Sequence, residues 1–139
     1  MSMPLTLPRR GQDHCGLLSG PDLLPRHPIF CASDLESASE YLCGALAPHR
    51  LTYLTRERRL DFRHRLAKLG AVELNAMQFG GDVMVVAPHV PDFYLLQIML
   101  AGNCTLTQGG RSYDMPAGSV AVINSSRPFT KRWSQPAAS

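Results

Sequence analysis

The feature that most constrains this chain is the change of hydrophobic period at Leu60. From Leu60 to Lys68 the residues Leu60, Phe62, His64 and Leu66 share one face, and Asp61, Arg63 and Arg65 share the other. A period of two is that of a half-buried β-strand, whose successive side chains point to opposite sides. The pattern predicts further strands over Val72–Phe79 and Val83–Ala87, separated by the turn residues Gly80-Gly81-Asp82. Phe93–Ala101 is apolar on nearly both faces and reads as a central strand covered on two sides. Gly102-Asn103 reads as its end. Cys104–Gln108 and Arg111–Met115 flank Gly109-Gly110 as a hairpin, Val120–Ile123 follows the Pro116-Ala117-Gly118 turn, and Phe129–Trp133 is the last strand expected. Short strands with turn signals about every eight to twelve residues imply a sandwich or barrel.

The sequence before Leu60 follows other rules. Residues 1–28 hold Pro4, Pro8, Pro21, Pro25 and Pro28 with Gly11, Gly16 and Gly20, and are expected to form an irregular leader. Ser33-Asp34-Leu35-Glu36 fits a capping box with Ser33 as N-cap. Leu35, Ala38, Tyr41, Leu42, Ala45 and Leu46 then form a helical stripe that Pro48 ends. A helix this short needs a surface to dock on. Hydrophobic residues make up 45% of the chain, enough for a packed core, and aromatics only 7%, so that core is expected to be mostly aliphatic.

The longest nearly apolar run, Phe93–Ala101, is too short to span a bilayer, and the N-terminus lacks the apolar core of a signal peptide. A cytoplasmic location is expected, with Cys15, Cys31, Cys43 and Cys104 as free thiols. Between Arg50 and Lys68 basic residues predominate: Arg56, Arg58, Arg59, Arg63 and Arg65 form a stripe opposed by Glu57 and Asp61. It reads as the solvated face of a strand, with phosphate contact as the alternative.

Certain segments, taken in order, carry a family resemblance. Asp34-Leu35-Glu36-Ser37-Ala38-Ser39-Glu40-Tyr41-Leu42 leads to Pro48-His49-Arg50-Leu51, then Phe79-Gly80-Gly81-Asp82-Val83, Asp92-Phe93-Tyr94-Leu95-Leu96-Gln97, Ala117-Gly118-Ser119-Val120-Ala121-Val122 and Arg132-Trp133. From about Ile29 to Trp133 the chain resembles the cupin-like ligand-binding domain that precedes the helix-turn-helix module of AraC-type transcription regulators. The resemblance implies a mainly β fold: a double-stranded β barrel or jelly roll with one N-terminal helix packed outside. It implies a domain that senses a small-molecule effector or assists homodimerisation, with DNA bound through a downstream domain. The expected organisation is a leader (1–28), a sensing domain (29–133) and a tail (134–139). The helix-turn-helix half is expected to be absent and the barrel incomplete at its C-terminal end, leaving Phe129 and Trp133 partly exposed.

Cupin enzymes commonly hold a metal through a His-x-His pair, a carboxylate and a later His. His14, His27, His49, His64 and His89 form no such pair, so neither a metal nor another cofactor is expected, and the chain reads as a non-enzyme. The pocket candidates are Phe62, His64, Leu66, Tyr94 and Gln97. His64 reads either as a core histidine satisfied by a neighbour or as a polar group in an apolar effector pocket. Gln97 reads as a structural hydrogen-bonder or a ligand contact, and Tyr94 as a phenol that reaches the pocket or only packs. His49 follows the helix end, where a cation suits the helix dipole. The rival readings are a stand-alone cupin enzyme and a degenerate fragment without function of its own.

Overall fold

In the computed structural model, residues 24, 26–46, 48–56, 58–89 and 93–138 are described, with side chains through Ser134. The order is β1 (Ile29–Ala32), α1 (Leu35–Ala45), β2 (Arg50–Tyr53), β3 (Phe62–Leu69), β4 (Val72–Gln78), β5 (Val83–Ala87), β6 (Tyr94–Ile98), β7 (Ala101–Gln108), β8 (Arg111–Pro116), β9 (Val120–Asn124) and β10 (Phe129–Ala138). The larger sheet runs β1-β3-β4-β10-β5-β2, with β7 on the other edge of β10 and β8 beyond it; β6 and β9 form a second, two-stranded sheet. All pairings are antiparallel. The fold is mainly β and cupin-like, and the two sheets do not close into a barrel.

The helix is entered one residue later than the sequence predicts. Asp34, not Ser33, is the N-cap: its Oδ1 accepts from the Ser37 amide at 2.7 Å. This bond satisfies one of the amides that a helix start leaves without a partner. The stripe works as expected, since Ala38 and Leu42 are buried in the main core.

β10 departs most from expectation. Rather than lying at an open edge, it sits between β5, with Phe129↔Ala87 to Trp133↔Val83, and β7, with Phe129↔Gln108 to Ser134↔Asn103. It runs on through residues assigned to the tail and reaches Ala138↔Gln78 on β4. Phe129 and Trp133 are therefore buried core residues, not exposed ones. β6 departs in the other direction. Among the described residues it pairs only with β9, and Tyr94, Leu96 and Ile98 stand exposed, so one of its faces is uncovered.

The core is mostly aliphatic, as the composition predicts, with Phe62, Phe79, Phe129 and Trp133 the aromatics among its buried residues. Phe30 stacks on Tyr41 at 3.7 Å between centroids, Phe62 meets Phe79 at 5.3 Å, and Phe79 meets Trp133 at 5.2 Å. Few aromatics suffice because they gather in one column, where edge and offset contacts add to area burial. The arginines of β3 are covered rather than solvated. Arg63 is buried against Asp61, with its Nη2 at 2.9 Å from Oδ2, and Arg65 Nη1 donates to the carbonyls of Leu24 and His27 at 3.2 and 3.1 Å. Cys31 is disulfide-bonded, against the expectation of a free thiol, whereas Cys43 and Cys104 are free.

Candidate functional site

The alternation of β10 puts Phe129, Lys131 and Trp133 on its inner face. Across the sheet Lys131 is opposite Val85 on β5 and Leu106 on β7, so its cross-strand neighbours are apolar. In front of this face lies a cavity of about 100 Å³. Its walls come from the end of α1 and the segment after it (Leu42, Leu46, Pro48, His49), β4 and its end (Met77, Phe79), β5 (Val85, Ala87), β6 and its approach (Phe93, Leu95), and β10 (Phe129, Lys131, Trp133). The cavity thus lies where both sheets and the helix meet. Apolar walls with few polar groups are the usual make-up of a small-molecule site.

Lys131 is the unusual member. It is 7% exposed, and burial pulls its ammonium down to a pKa of about 8. Its Nζ lies 5.3 Å from the Phe129 ring centroid and 5.9 Å from that of Trp133, within cation–π range. Among the described residues no carboxylate pairs with it. Ring faces offset only part of the cost of burying an ammonium, since cation–π contacts contribute about 0.5–2 kcal/mol and the loss of hydration costs several. Trp133 adds a second polar group, an indole Nε1–H that is buried without a hydrogen-bond partner among the described residues. On β7 beside Trp133, burial pushes the Cys104 thiol up, so it stays protonated near Lys131.

None of the pocket candidates Phe62, His64, Leu66, Tyr94 and Gln97 lines this cavity. Phe62 and His64 are fully buried on β3, behind it. His64 Nδ1 lies 2.8 Å from the Tyr41 hydroxyl and Nε2 lies 2.8 Å from Asn75 Oδ1. An amide oxygen only accepts, so Nε2 carries the proton and Nδ1 accepts from Tyr41. Burial keeps the ring neutral by lowering its pKa, an effect the Asn75 bond opposes in part. This chain of bonds ties α1 to β3 and β4. Leu66 is half-buried further along β3, and Tyr94 is 74% exposed on β6. Gln97 is buried, with Nε2 at 3.2 Å from the Met99 sulfur. His49, noted beside the helix end, does line the cavity. The sequence does carry a signal for Lys131: Phe-x-Lys-x-Trp sets a cation between two aromatics on one face of a strand.

Among the described residues no group of three or more His, Cys, Asp or Glu is placed to hold a metal ion, and no helix is long and apolar enough to cross a membrane. No solved structure matches the chain significantly. Two curated relatives, described as XylDLEGF operon transcriptional activator 1 and XylDLEGF operon transcriptional activator, both of Pseudomonas putida, are each 26% identical over 97 residues. The matched region covers 69% of this chain and 30% of either relative, so the chain corresponds to under a third of their length. The family model described as the AraC-binding-like domain matches residues 38–139, which takes in the cavity-lining strands and most of α1. On that match the chain belongs to the AraC-binding-like domain family, the ligand-binding domain of AraC-type regulators.

Proposed function

We propose that this domain senses a small-molecule effector in the cavity between its sheets and passes occupancy to a DNA-binding domain that these residues do not include. The observation that carries this reading is the cavity itself: it is walled by α1, β4, β5, β6 and β10 at once. A ligand there touches elements from distant parts of the chain and shifts their relative positions in proportion to its preference for one arrangement. The role is non-catalytic, and DNA recognition belongs to the separate domain. Homodimerisation fits the same reading, because the outer face of β6–β9 presents Tyr94, Leu96, Ile98, Val120 and Val122 to solvent.

The test is a thermal-shift screen of small organic molecules against the wild-type domain and a Leu95→Trp variant that fills the cavity. A ligand present at a hundred times its Kd stabilises the folded form by about 2.7 kcal/mol. Hits are expected to raise Tm for the wild type and to lose that effect in the variant. If no compound in a chemically broad panel does so, the sensing role is wrong.

A further inference from the structure

We infer that the effector is a compact organic monoanion, with its carboxylate at Lys131 and Trp133 and a short apolar body of roughly three or four carbons against Phe79, Val85 and Leu95. This rests on the sensing role proposed above and narrows it to a chemical class.

Three observations converge on it. First, Lys131 is nine-tenths buried and lines the cavity, and no carboxylate pairs with it among the described residues. With a pKa of about 8 it remains mostly protonated at neutral pH, so the cavity carries a positive charge. An ammonium in such a setting is satisfied by an anion that hydrogen-bonds to it, and the pairing is strongest where water is excluded. Second, the indole Nε1–H of Trp133, two residues on along the same strand face, is a buried donor without a partner among the described residues. A carboxylate has two acceptor oxygens and no donor, which matches a pair of donors. Third, the remaining walls are hydrocarbon and aromatic ring, so the rest of the ligand must be apolar. A cavity of about 150 Å³ holds benzene, so the volume of about 100 Å³ here sets the small body. A sugar, whose hydroxyls all need partners, does not suit these walls.

The probes are 3-methylbutanoate, its neutral isostere 3-methylbutanamide, and inorganic phosphate, titrated into the wild-type domain and into Lys131→Met while amide and methyl NMR spectra are followed. The carboxylate is expected to perturb signals from Val85, Leu95 and Trp133 saturably. The amide is expected to bind at least tenfold more weakly, and phosphate not to perturb these signals. Lys131→Met is expected to fold, with a Tm no lower than wild type, and to bind acid and amide alike. Equal binding of acid and amide by the wild type overturns the inference, as does unchanged acid binding in Lys131→Met or no binding of the acid at all. If neutral compounds from the screen occupy the cavity while the acid does not, only the anion assignment falls. If nothing occupies it, the sensing role falls as well.

Discussion

Lys131 shows how a residue kept for binding differs from one kept for stability. Its ammonium is charged in the unfolded chain up to a pKa of 10.5 and in the folded domain only up to about 8. The unfolded form therefore holds the proton more tightly, and stability rises with pH between those values. Below pH 8 both forms are charged and the folded domain bears the whole burial penalty, about 3 kcal/mol for a shift of this size. Lys131→Met should remove it, raising stability by about 1–3 kcal/mol at pH 7. The gain should shrink as pH climbs from 8 towards 10. Denaturant melts of both proteins across that range check this; a variant less stable than wild type at pH 7 would show that the ammonium holds the core together. His64 represents the opposite case. Its ring nitrogens are both satisfied, by Tyr41 and Asn75, so its polarity serves the fold. That distinction was not legible in the sequence, where His64 and Lys131 each alternate with apolar neighbours. It depends on what stands opposite, and those partners are distant along the chain.

At the scale of elements, the apolar stripe suffices to predict α1, but it does not decide between Ser33 and Asp34 as the cap. Both residue types cap helices, and only the backbone path decides which one aims its oxygen at the amide three residues on. Asp34→Ala is expected to lower stability by about 1 kcal/mol, while Ser33→Ala changes little. Hydrogen bonds from Ser37, its backbone amide first, hold the Asp34 carboxyl below its ordinary pKa, so this contribution is present at neutral pH and fades on acidification through the carboxylate range. Stability curves of the two alanine variants at pH 7 and pH 3 measure it, and equal losses at pH 7 would refute the cap assignment. The Gly80-Gly81 turn illustrates what pattern reading underrates. Gly80 has φ +63°, a Cβ on it would lie 2.6 Å from the Asp61 Cβ, and one on Gly81 would collide with the Arg59 carbonyl. The turn is pressed against the approach to β3, where the Asp61 amide donates to the Phe79 carbonyl at 2.9 Å. Gly81→Ala should cost about 2–4 kcal/mol, since the clash is with backbone that cannot rotate away. A loss under 1 kcal/mol in a chemical melt would mean that the turn can move. β1 and β2 went unread because segments of four residues carry too little alternation to register. They are strands by virtue of pairing with β3 and β5.

At the scale of the molecule, the expected exposure of Phe129 and Trp133 fails, and a different apolar surface is uncovered. Phe129 and Trp133 are buried, but Tyr94 at 74%, Val122 at 69%, Leu96 at 60% and Val120 at 60% are exposed together on the two-stranded sheet. Among the described residues both strands of that sheet are also edges, without a further neighbour. An apolar face beside open edges favours self-association. Light scattering is expected to show oligomers that grow with concentration, and Leu96→Lys with Val122→Lys to abolish them without lowering Tm. A wild-type domain that stays monomeric at high concentration would count against this.

The sequence by itself determined the β class, the hairpins of β3–β4 and β7–β8, the amphipathic helix and the family, because alternation, turn glycines and a helical stripe are local properties of the chain. Tertiary structure decided which faces were covered. It made β10 a central strand, left β6 half bare, buried Arg63 of β3 and turned Lys131 into the charged wall of a cavity. Those outcomes depend on which segments meet across the sheets, and the free energy of a buried charge or an uncovered apolar face is a property of that meeting rather than of any residue in it.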